Sequence, residues 1–398
     1  MDITITPGKL CGQICAIPSK SQAHRVLICA AFADKPTTII CRQTNQDIEA
    51  TVDCLNALGA SIVRTSDGYI VTPMRQAPAH AVLSCCESGS TLRFMLPIVG
   101  ALGVVTTFIM EGRLPQRPLS PLWEEMERMG CKLSRPTPNT LLCTGKLVSG
   151  HYTINGSVSS QFITGLLFAM ALMDGNSTLD VTGKLESKPY VDMTQNVLSM
   201  FGVQTDRFAV SGRFPFRSPE YINVEGDWSN AAFFLVANQM GSRVTITGLS
   251  MESTQGDSAI VSILARLAES PVIDAADIPD LVPVLAVAAA SINGATFVNI
   301  GRLRLKESDR VATVAYMLEQ LGTNVSTSEN TLTVYPAAFK ECTVDAQGDH
   351  RIAMAAAIAA TVATGPVTIR GAQCVAKSYP DFWKEYVKLG GYYEQHLR

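Results

Sequence analysis

The chain is short of charge: only 17% of its 398 residues are Asp, Glu, Lys or Arg, against roughly 25% in an average soluble domain. Its net charge is −3, so it lacks the basic excess of a general nucleic-acid binder. The 11 cysteines include no CxxC pair and no Cys/His group at zinc spacing, so we expect no metal site. We expect Cys11, Cys15, Cys85 and Cys86 to be buried thiols of a cytoplasmic protein.

Long apolar runs are also scarce. Residues 94–110 and 281–300 carry no charged side chain, but both fall short of a continuous span of about 20 apolar residues. Proline and glycines interrupt the first run, and an Asn293-Gly294 turn divides the second into a predicted buried helix and a short strand. The first residues do not combine a basic region with an apolar run, as a secretory signal would. We therefore expect neither a membrane span nor a membrane partner.

The little charge that is present is concentrated in one segment. Six charged residues fall within nine positions, namely Arg302, Arg304, Lys306, Glu307, Asp309 and Arg310. The alternation over 302–306 predicts a strand with three cations on one side. Ser308-Asp309 is predicted to cap the helix that follows. Such a junction can hold an anion, although surface salt bridges would give the same composition.

A repeated pattern indicates the domain organisation. The motif Leu-x-x-Leu/Met-Gly recurs at intervals of about 70 residues. It ends at Gly59, Gly130, Gly202, Gly322 and, in degraded form, Gly390. A glycine at this place suits the left-handed residue after a helix. The segments that follow it, such as 61–71, read as hairpins. Each repeat is therefore predicted to be a small α/β unit.

Six such units predict two domains of three units each. The unit around Leu264 lacks the glycine and leaves little room for a hairpin before Asp280. The chain length also favours two domains of about 200 residues. We assign residues 18–226 to one domain and residues 1–17 with 227–398 to the other, with hinges near Pro18 and Glu225.

Candidate binding residues cluster at predicted helix starts. Hydroxyl groups, small residues and cations recur there, in Ser19-Lys20-Ser21 with Arg25, Ser88-Gly89-Ser90, Ser159-Ser160-Gln161 and Ser187 to Tyr190. Helix amides together with Lys or Arg bind phosphate and carboxylate groups well. Each motif alone could be a simple helix cap. Together, in a slightly acidic chain, they predict a site for a substrate with several negative charges.

Other candidates lie in loops or beside helices. Arg117 stands in a loop rich in proline, where it could be held ready for a bidentate contact. Asp280 precedes the uncharged helix, Gly348 to Arg351 open another helix, and Lys377 precedes the last one. A surface arginine or an acidic first-turn residue would explain each of them without a function.

These motifs, in this order, resemble those of the EPSP synthase (3-phosphoshikimate 1-carboxyvinyltransferase) family, across essentially the whole chain. The most specific matches are Leu305-Lys-Glu-Ser-Asp-Arg310, Gly348-Asp-His-Arg351, Ser159-Ser-Gln161 and Ser19-Lys-Ser21 with Arg25. The resemblance implies an α/β fold with two domains, each an inside-out α/β barrel of three βαβαββ units. It further implies that substrate binding closes the domains.

The resemblance also implies a reaction. The family transfers the enolpyruvyl group of phosphoenolpyruvate to the 5-hydroxyl of shikimate 3-phosphate, with release of phosphate, in the shikimate pathway of aromatic amino acid biosynthesis. It implies no metal, no organic cofactor and no nucleic-acid partner, and we expect a monomer. Glu307 would protonate the methylene carbon of phosphoenolpyruvate. Asp280, with Lys306, would take the proton of the 5-hydroxyl.

Residue by residue, the resemblance assigns two binding sets. Shikimate 3-phosphate would meet Lys20, Ser21, Arg25, Ser159, Ser160, Gln161, Ser187, Tyr190, Asp280 and Lys306. Phosphoenolpyruvate would meet Lys20, Gly89, Arg117, Gln161, Arg310, Arg351 and Lys377.

The chain departs from the family pattern at a few places. Glu87 and Arg302 stand where many or some members have Asn, and the fourth unit is shortened. One alternative is UDP-N-acetylglucosamine enolpyruvyl transferase, which would show Lys-Asn at the first motif and a cysteine near Arg117. Here Ser21 follows Lys20, and residues 111–122 contain no cysteine. A relative that binds a phosphorylated ligand without catalysis is the second alternative.

Overall fold

The computed structural model describes residues 1–212 and 216–396. The chain forms two compact units: Pro18–Glu225, called the inserted unit, and Met1–Ile17 with Gly226–Arg398, called the split unit. Gly226 thus falls on the other side of the division from where the sequence pattern put it. Residues 213–215 and 397–398, which the predicted domain ranges include, lie outside the described residues.

The strands and helices alternate along the chain. The strands are β1 Asp2–Thr6, β2 Cys11–Cys15, β3 Thr37–Ile40, β4 Ser61–Arg64, β5 Gly68–Thr72, β6 His80–Ser84, β7 Val105–Ile109, β8 Cys131–Ser134, β9 Thr140–Gly145, β10 His151–Asn155, β11 Ser177–Thr182, β12 Thr205–Asp206, β13 Ala209–Val210, β14 Tyr221–Asn223, β15 Arg243–Thr247, β16 Val272–Asp274, β17 Ala295–Val298, β18 Val325–Thr327, β19 Thr331–Val334, β20 Cys342–Asp345, β21 Val367–Arg370 and β22 Tyr392–His396.

The helices are α1 Lys20–Ala31, α2 Gln46–Ala57, α3 Gly89–Leu102, α4 Leu122–Arg128, α5 Ser160–Leu172, α6 Lys188–Met200, α7 Trp228–Gln239, α8 Ile260–Arg266, α9 Val282–Ser291, α10 Arg310–Gln320, α11 His350–Ala360 and α12 Phe382–Lys388. Short 3₁₀ helices cover Leu114–Gln116, Gly256–Ala259, Leu267–Glu269, Gly301–Leu305 and Ala372–Lys377.

The described part of the inserted unit contains three four-stranded sheets of one design. Their strand orders are β14-β3-β5-β4, β6-β7-β9-β8 and β10-β11-β13-β12. In each sheet two parallel strands lie side by side. The second of them also pairs with an antiparallel hairpin, which follows the second helix of the repeat. The predicted glycines lie at the ends of these helices, with φ of 106° at Gly59, 111° at Gly130 and 81° at Gly202. The positive φ explains the motif, because other residues rarely adopt it.

The split unit follows the same design with two changes. The sheet β16-β17-β19-β18 is complete, whereas in β20-β21-β1-β22 the first strand of the chain takes the place of a hairpin strand. Within the described residues, the third sheet consists of β15 and β2 and has no hairpin. The predicted shortening of the fourth repeat, the one around Leu264, is therefore confirmed.

Each unit also contains a strand from an unexpected part of the sequence. In the split unit, β2 pairs in parallel with β15, the strand that follows α7. In the inserted unit, β14 pairs in parallel with β3, the strand that follows α1. By its position in the sheet, β2 is the strand that precedes α7, and β14 is the strand that precedes α1. The chain instead runs from β2 into α1 and from β14 into α7, so each crossing between the units stands in place of a strand-to-helix connection within one unit.

The core of each unit is built on helices that are apolar all round. In the split unit α7, α9 and α11 pack on one another. Helix α9 has no charged residue, and Leu285, Ala286 and Val287 are fully buried. In the inserted unit α3 packs along α5. A helix without a polar face must lie in the interior, so these helices form the centre while the sheets and amphipathic helices such as α2 and α10 cover them.

Two local predictions were wrong. Residues 301–305 form a 3₁₀ helix, not a strand, because β17 ends at Val298 and Asn299 turns the chain with a φ of 58°. Cys85 is buried as expected and Cys86 is half-buried, but Cys11 and Cys15 are exposed. The reason is that β2 belongs to the two-stranded sheet, in which only Ile14 of this strand is buried.

Candidate active site

Arg310 is the centre of a charged cluster in the split unit. Asp309 caps α10 by accepting a hydrogen bond from the Ala312 amide at 3.1 Å, as predicted, which makes Arg310 the first helical residue. The Arg310 side chain is only 1% exposed. Its guanidinium donates from Nη1 to Asp280 Oδ1 at 2.6 Å and from Nη2 to Glu307 Oε2 at 2.6 Å. Its Nε donates to Asp349 Oδ2 at 2.8 Å.

Asp280 lies among three cations. Besides Arg310, it accepts from Lys306 Nζ at 3.4 Å and from Arg351 Nη2 at 3.2 Å. Arg351 Nη1 also donates to the Asp280 carbonyl at 3.1 Å. Burial alone would raise the pKa of Asp280, but the charges of Arg351, Lys306 and Arg310 outweigh it and hold the pKa well below its usual range. The carboxyl is therefore ionised at neutral pH.

Asp349 organises the cluster from behind. It is fully buried, caps α11 by accepting from the Arg351 amide at 3.0 Å, and accepts from Ser308 Oγ at 2.9 Å. Burial would raise its pKa, but the charge of Arg310 more than compensates, so that the pKa is lowered. Asp349 belongs to the Gly348–Arg351 motif, in which it had no predicted role of its own. Its carboxylate fixes both Arg310 and the helix start that carries Arg351.

Lys306 and Glu307 are the more open members of the cluster. Their side chains are 26% and 24% exposed. Burial lowers the pKa of Lys306, although the neighbouring Asp280 partly opposes this. Beside a carboxylate, an amine of lowered pKa gives up its proton more readily than a free lysine does. Lys377, which ends the 3₁₀ helix Ala372–Lys377, donates to the Gly348 carbonyl at 3.2 Å, just before α11.

This cluster carries as many negative as positive charges. Lys306, Arg310 and Arg351 face Asp280, Glu307 and Asp349. A substrate anion must therefore compete with carboxylates of the protein for these cations.

In the inserted unit, Lys20 begins α1 and pairs with Asp47. The Lys20 Nζ–Asp47 Oδ2 distance is 2.7 Å. Ser19 caps the helix, as the sequence predicted. Asp47 was not identified, because its sequence environment at the start of α2 gives no sign of a partner on α1.

Arg25 holds two predicted motifs together. Its Nη1 donates to the Ser21 carbonyl at 2.6 Å and its Nη2 to the Tyr190 carbonyl at 2.9 Å. Its Nε donates to Thr194 Oγ1 at 2.8 Å. The side chain is 2% exposed, and its guanidinium carbon lies 5.2 Å from the centre of the Phe94 ring. Most of its donors thus bind the protein itself.

Gly89, Arg117 and Gln161 are brought together at the start of α3. A Cβ atom built on Gly89 would lie 2.5 Å from Nη1 of Arg117 and 3.0 Å from Nη1 of Arg93. Gln161 accepts from Arg93 Nη1 at 2.7 Å and donates to Ser90 Oγ at 2.9 Å. The glycine lets two guanidinium groups approach helix amides, which is an arrangement suited to an anion.

Arg93 was missed by the sequence analysis, although a signal was present. It is the single charged residue of α3 and is buried. A lone charge in an otherwise apolar helix requires a buried partner or a ligand. Its place in the sequence therefore marks Arg93 as a candidate.

The remaining predicted serines occupy helix starts. Ser159 caps α5 by accepting from the Gln161 amide at 3.3 Å, and Ser160 is buried beside it. Ser187 precedes α6 with a φ of 55°, in the left-handed region that a serine rarely adopts. Such strain persists where the surroundings fix it and is frequent at ligand sites.

The structure also shows what surrounds Glu87 and Arg302, the two residues that depart from the family pattern. A Cβ atom built on Gly112, in the loop before Arg117, would lie 2.5 Å from Cδ of Glu87. Arg302 donates to the Ala276 carbonyl at 2.8 Å.

Among residues 1–212 and 216–396, no three His, Cys, Asp or Glu side chains are grouped as a metal site. Nor does this part of the chain contain a helix long and apolar enough to cross a bilayer.

Solved structures define the class of fold. The chain superposes on the enolpyruvyl transferase NikO from Streptomyces tendae with a TM-score of 0.77 at 17% identity, covering 100% of this chain and 99% of the other. The EPSP synthase from Acinetobacter baumannii gives a TM-score of 0.80 at 22% identity, covering 99% and 100%. The fold is therefore that of the enolpyruvyl transferases, in agreement with the predicted two-domain architecture.

Sequence comparison defines the family within that class. The family model described as EPSP synthase (3-phosphoshikimate 1-carboxyvinyltransferase) matches residues 5–386. A relative of that name from Clostridium beijerinckii is 36% identical, over 99% of this chain and 98% of its own. Another from Clostridium kluyveri is 38% identical, over 98% and 97%. The chain belongs to the EPSP synthase family, and the predicted resemblance is confirmed.

Proposed function

We propose that this protein transfers the enolpyruvyl group of phosphoenolpyruvate to the 5-hydroxyl of shikimate 3-phosphate, releasing phosphate, in the shikimate pathway. The observation that carries the proposal, beside membership of the family, is the cluster around Arg310. It combines an ionised carboxylate, an amine of lowered pKa, a second carboxyl and two arginines. These are the groups that an addition between two anionic substrates requires.

The reaction needs a proton donor and a proton acceptor. A proton is added to the methylene carbon of phosphoenolpyruvate while the substrate oxygen loses its proton and bonds to the adjacent carbon. The tetrahedral intermediate then returns a proton from the new methyl group and expels phosphate. We assign the proton on carbon to Glu307 and that of the hydroxyl to Asp280 with Lys306. Such acid–base groups contribute about 10²–10⁴-fold each.

Asp280 is a weak base while three cations surround it. When phosphate or carboxylate groups of a substrate bind Arg310 and Arg351, they draw part of this positive charge away. The pKa of Asp280 then rises, and its carboxylate becomes a better proton acceptor. The ion pairs of the free protein would thus keep the base inactive until phosphoenolpyruvate binds.

Binding is divided between two groups of residues in this proposal. Shikimate 3-phosphate is held by Lys20, Ser21, Ser159, Ser160, Gln161, Ser187, Tyr190, Asp280 and Lys306, with Arg25 fixing the Ser21 and Tyr190 segments. Phosphoenolpyruvate is held by Lys20, Gly89, Arg117, Gln161, Arg310, Arg351 and Lys377. Because all 11 cysteines are free thiols, we also propose that the protein works in a reducing cytoplasm.

Phosphate release with both substrates tests the proposal, and NMR spectroscopy would identify the enolpyruvyl ether product. Glu307→Gln should lose most of its turnover while still binding shikimate 3-phosphate. Glu319→Gln, at an exposed position of the helix α10 that follows Glu307, is the matched control and should stay active. Product formation with UDP-N-acetylglucosamine in place of shikimate 3-phosphate would favour the alternative transferase. Binding without phosphate release would indicate a non-catalytic relative.

A further inference from the structure

Two parallel contacts join α1 to α2. The outer contact is the ion pair between Lys20 Nζ and Asp47 Oδ2 at 2.7 Å. Four residues later in both helices, His24 Nδ1 lies 2.7 Å from Thr51 Oγ1. The outer pair is partly exposed, whereas His24 and Thr51 are both completely buried.

The inner contact continues to the start of α3. Thr51 Oγ1 lies 2.7 Å from Thr91 Oγ1, and Thr91 Oγ1 donates to Ser88 Oγ at 2.8 Å. Thr91 Oγ1 is also 3.4 Å from the Asp47 carbonyl. Ser88 caps α3 and directly precedes Gly89. A buried chain of hydrogen bonds therefore runs from α1 through α2 to the turn that carries Gly89.

The direction of the donors in this chain follows from proton counting. Thr91 has one hydroxyl proton, and we assign it to Ser88 Oγ at 2.8 Å, because the Asp47 carbonyl at 3.4 Å is the more distant acceptor. Thr51 must then donate to Thr91, and His24 must donate to Thr51 through Nδ1–H. This leaves Nε2 of His24 as an unprotonated nitrogen, and Nε2 is indeed buried without a hydrogen-bond partner. Burial and the charges of Lys20 and Arg25 keep the pKa of His24 well below its usual range, which agrees with a neutral ring.

Packing alone does not require these side chains. Apolar residues of similar size would fill the same buried volume without the need to match donors and acceptors. What the chain adds is direction, because each hydrogen bond fixes one helix relative to the next. The helix starts that it connects carry Lys20 and Gly89.

We propose that His24, Thr51 and Thr91 are positioning residues that fix the start of α3 relative to the Lys20 amine. The inference rests on the proposed function, which assigns both Lys20 and Gly89 to phosphoenolpyruvate. None of the three residues is assigned to the substrate; they act through Ser88 and through the helix that carries Asp47. Loss of the chain should weaken phosphoenolpyruvate binding and leave the chemical step in place.

Two substitutions at one position separate the hydrogen bond from packing. Thr51→Val replaces the hydroxyl by a methyl group, whereas Thr51→Ser keeps the hydroxyl and removes the methyl group. We expect Thr51→Val to raise the KM for phosphoenolpyruvate about tenfold, as for one lost buried hydrogen bond. Its kcat and its KM for shikimate 3-phosphate should change less than about threefold, and Thr51→Ser should resemble the wild type. Equal losses in both variants, or no loss in Thr51→Val, would overturn the proposal.

A second measurement uses the unmodified protein and does not depend on a variant that folds. Nitrogen-15 labelling of the five histidines lets NMR spectroscopy identify the tautomer of each ring. His24, assigned from a His24→Asn sample, should be neutral with its proton on Nδ1 at pH 7. A proton on Nε2 would contradict the donor direction and overturn the proposed chain of hydrogen bonds. A wild-type protein without turnover would instead reject the proposed function, so the two failures are distinguishable.

Discussion

The helix starts of the two units differ in the charge of their caps. In the split unit α7, α10 and α11 are capped by Asp227, Asp309 and Asp349. In the inserted unit the caps of α1, α2, α3 and α5 are neutral: Ser19, Asn45, Ser88 and Ser159. Both kinds of residue satisfy the free amides equally well. Only the carboxylates also cancel the positive end of the helix dipole.

This difference indicates how each unit can receive an anion. A helix with a neutral cap keeps its positive potential, so the hydroxyls and amides at these helix starts of the inserted unit are suited to an anion. In the split unit the protein's own carboxylates already occupy the helix starts. The charges of Arg310 and Arg351 there are balanced by carboxylates, with which an anion would have to compete. The same repeated architecture is thus used with opposite electrostatics.

The largest expected effect concerns the carboxylate of the split unit. Asp280→Asn keeps the shape of the side chain but removes the proton acceptor, so kcat should fall by about 10²–10⁴-fold. Affinity for shikimate 3-phosphate should change little, which equilibrium binding can measure beside steady-state kinetics. Normal turnover in this variant would remove Asp280 from the acid–base assignment.

Two buried arginines test the difference in charge balance directly. Arg310 lies among three carboxylates, whereas Arg25 donates to carbonyl and hydroxyl oxygens. Arg310→Met should lower the free energy of unfolding by about 3–5 kcal/mol, because it leaves the buried Asp349 carboxylate without its cation. Arg25→Met leaves only neutral acceptors without a donor and should cost about 1–3 kcal/mol. Urea denaturation measures both, and equal losses would contradict the comparison.

A carboxylate cap introduced into the inserted unit should make it resemble the split unit. Ser159→Asp should keep α5 capped and raise stability by about 0.3–1 kcal/mol. It should weaken shikimate 3-phosphate binding at least about tenfold, since the added charge repels the phosphate. Asn196→Asp, on the exposed face of α6, adds the same charge elsewhere and should leave affinity unchanged. If both variants bind alike, the neutral caps have no electrostatic role.

The smallest expected effect is steric. In Gly89→Ala the new methyl group would meet the guanidinium of Arg117, which must then move. Because that group is the far end of a flexible side chain, the shift is possible, and we expect a rise of about threefold to tenfold in the KM for phosphoenolpyruvate. Gly8→Ala, where no atom lies within 4 Å of the added carbon, is the control. An unchanged KM in Gly89→Ala would show that Arg117 does not need its present position.

The sequence predicted those features that depend on neighbouring residues. The caps at Ser19, Ser159 and Asp309 and the left-handed glycines after the helices are local, and each was found where expected. The prediction of a strand over 302–306 was wrong, because alternation alone cannot reveal the turn at Asn299.

Contacts between distant residues could not be read from the sequence. The ion pair of Lys20 with Asp47 and the bond of Arg93 to Gln161 join helices that only the folded chain brings together. For the same reason the sequence showed the cations near Arg310 but not that carboxylates already bind them. The resemblance named the residues of the cluster, and the structure adds their charge balance.

The position of β1 has a consequence for the order of events during synthesis. This strand lies between β21 and β22, so Ile3 pairs with Ile369 on one side and Gln395 on the other. At about 5–20 residues per second, the ribosome makes these partners tens of seconds after β1. The inserted unit, which is continuous in the chain, can fold during this interval. β1 is therefore made long before the strands that pair with it, and until then its edges are open to other chains.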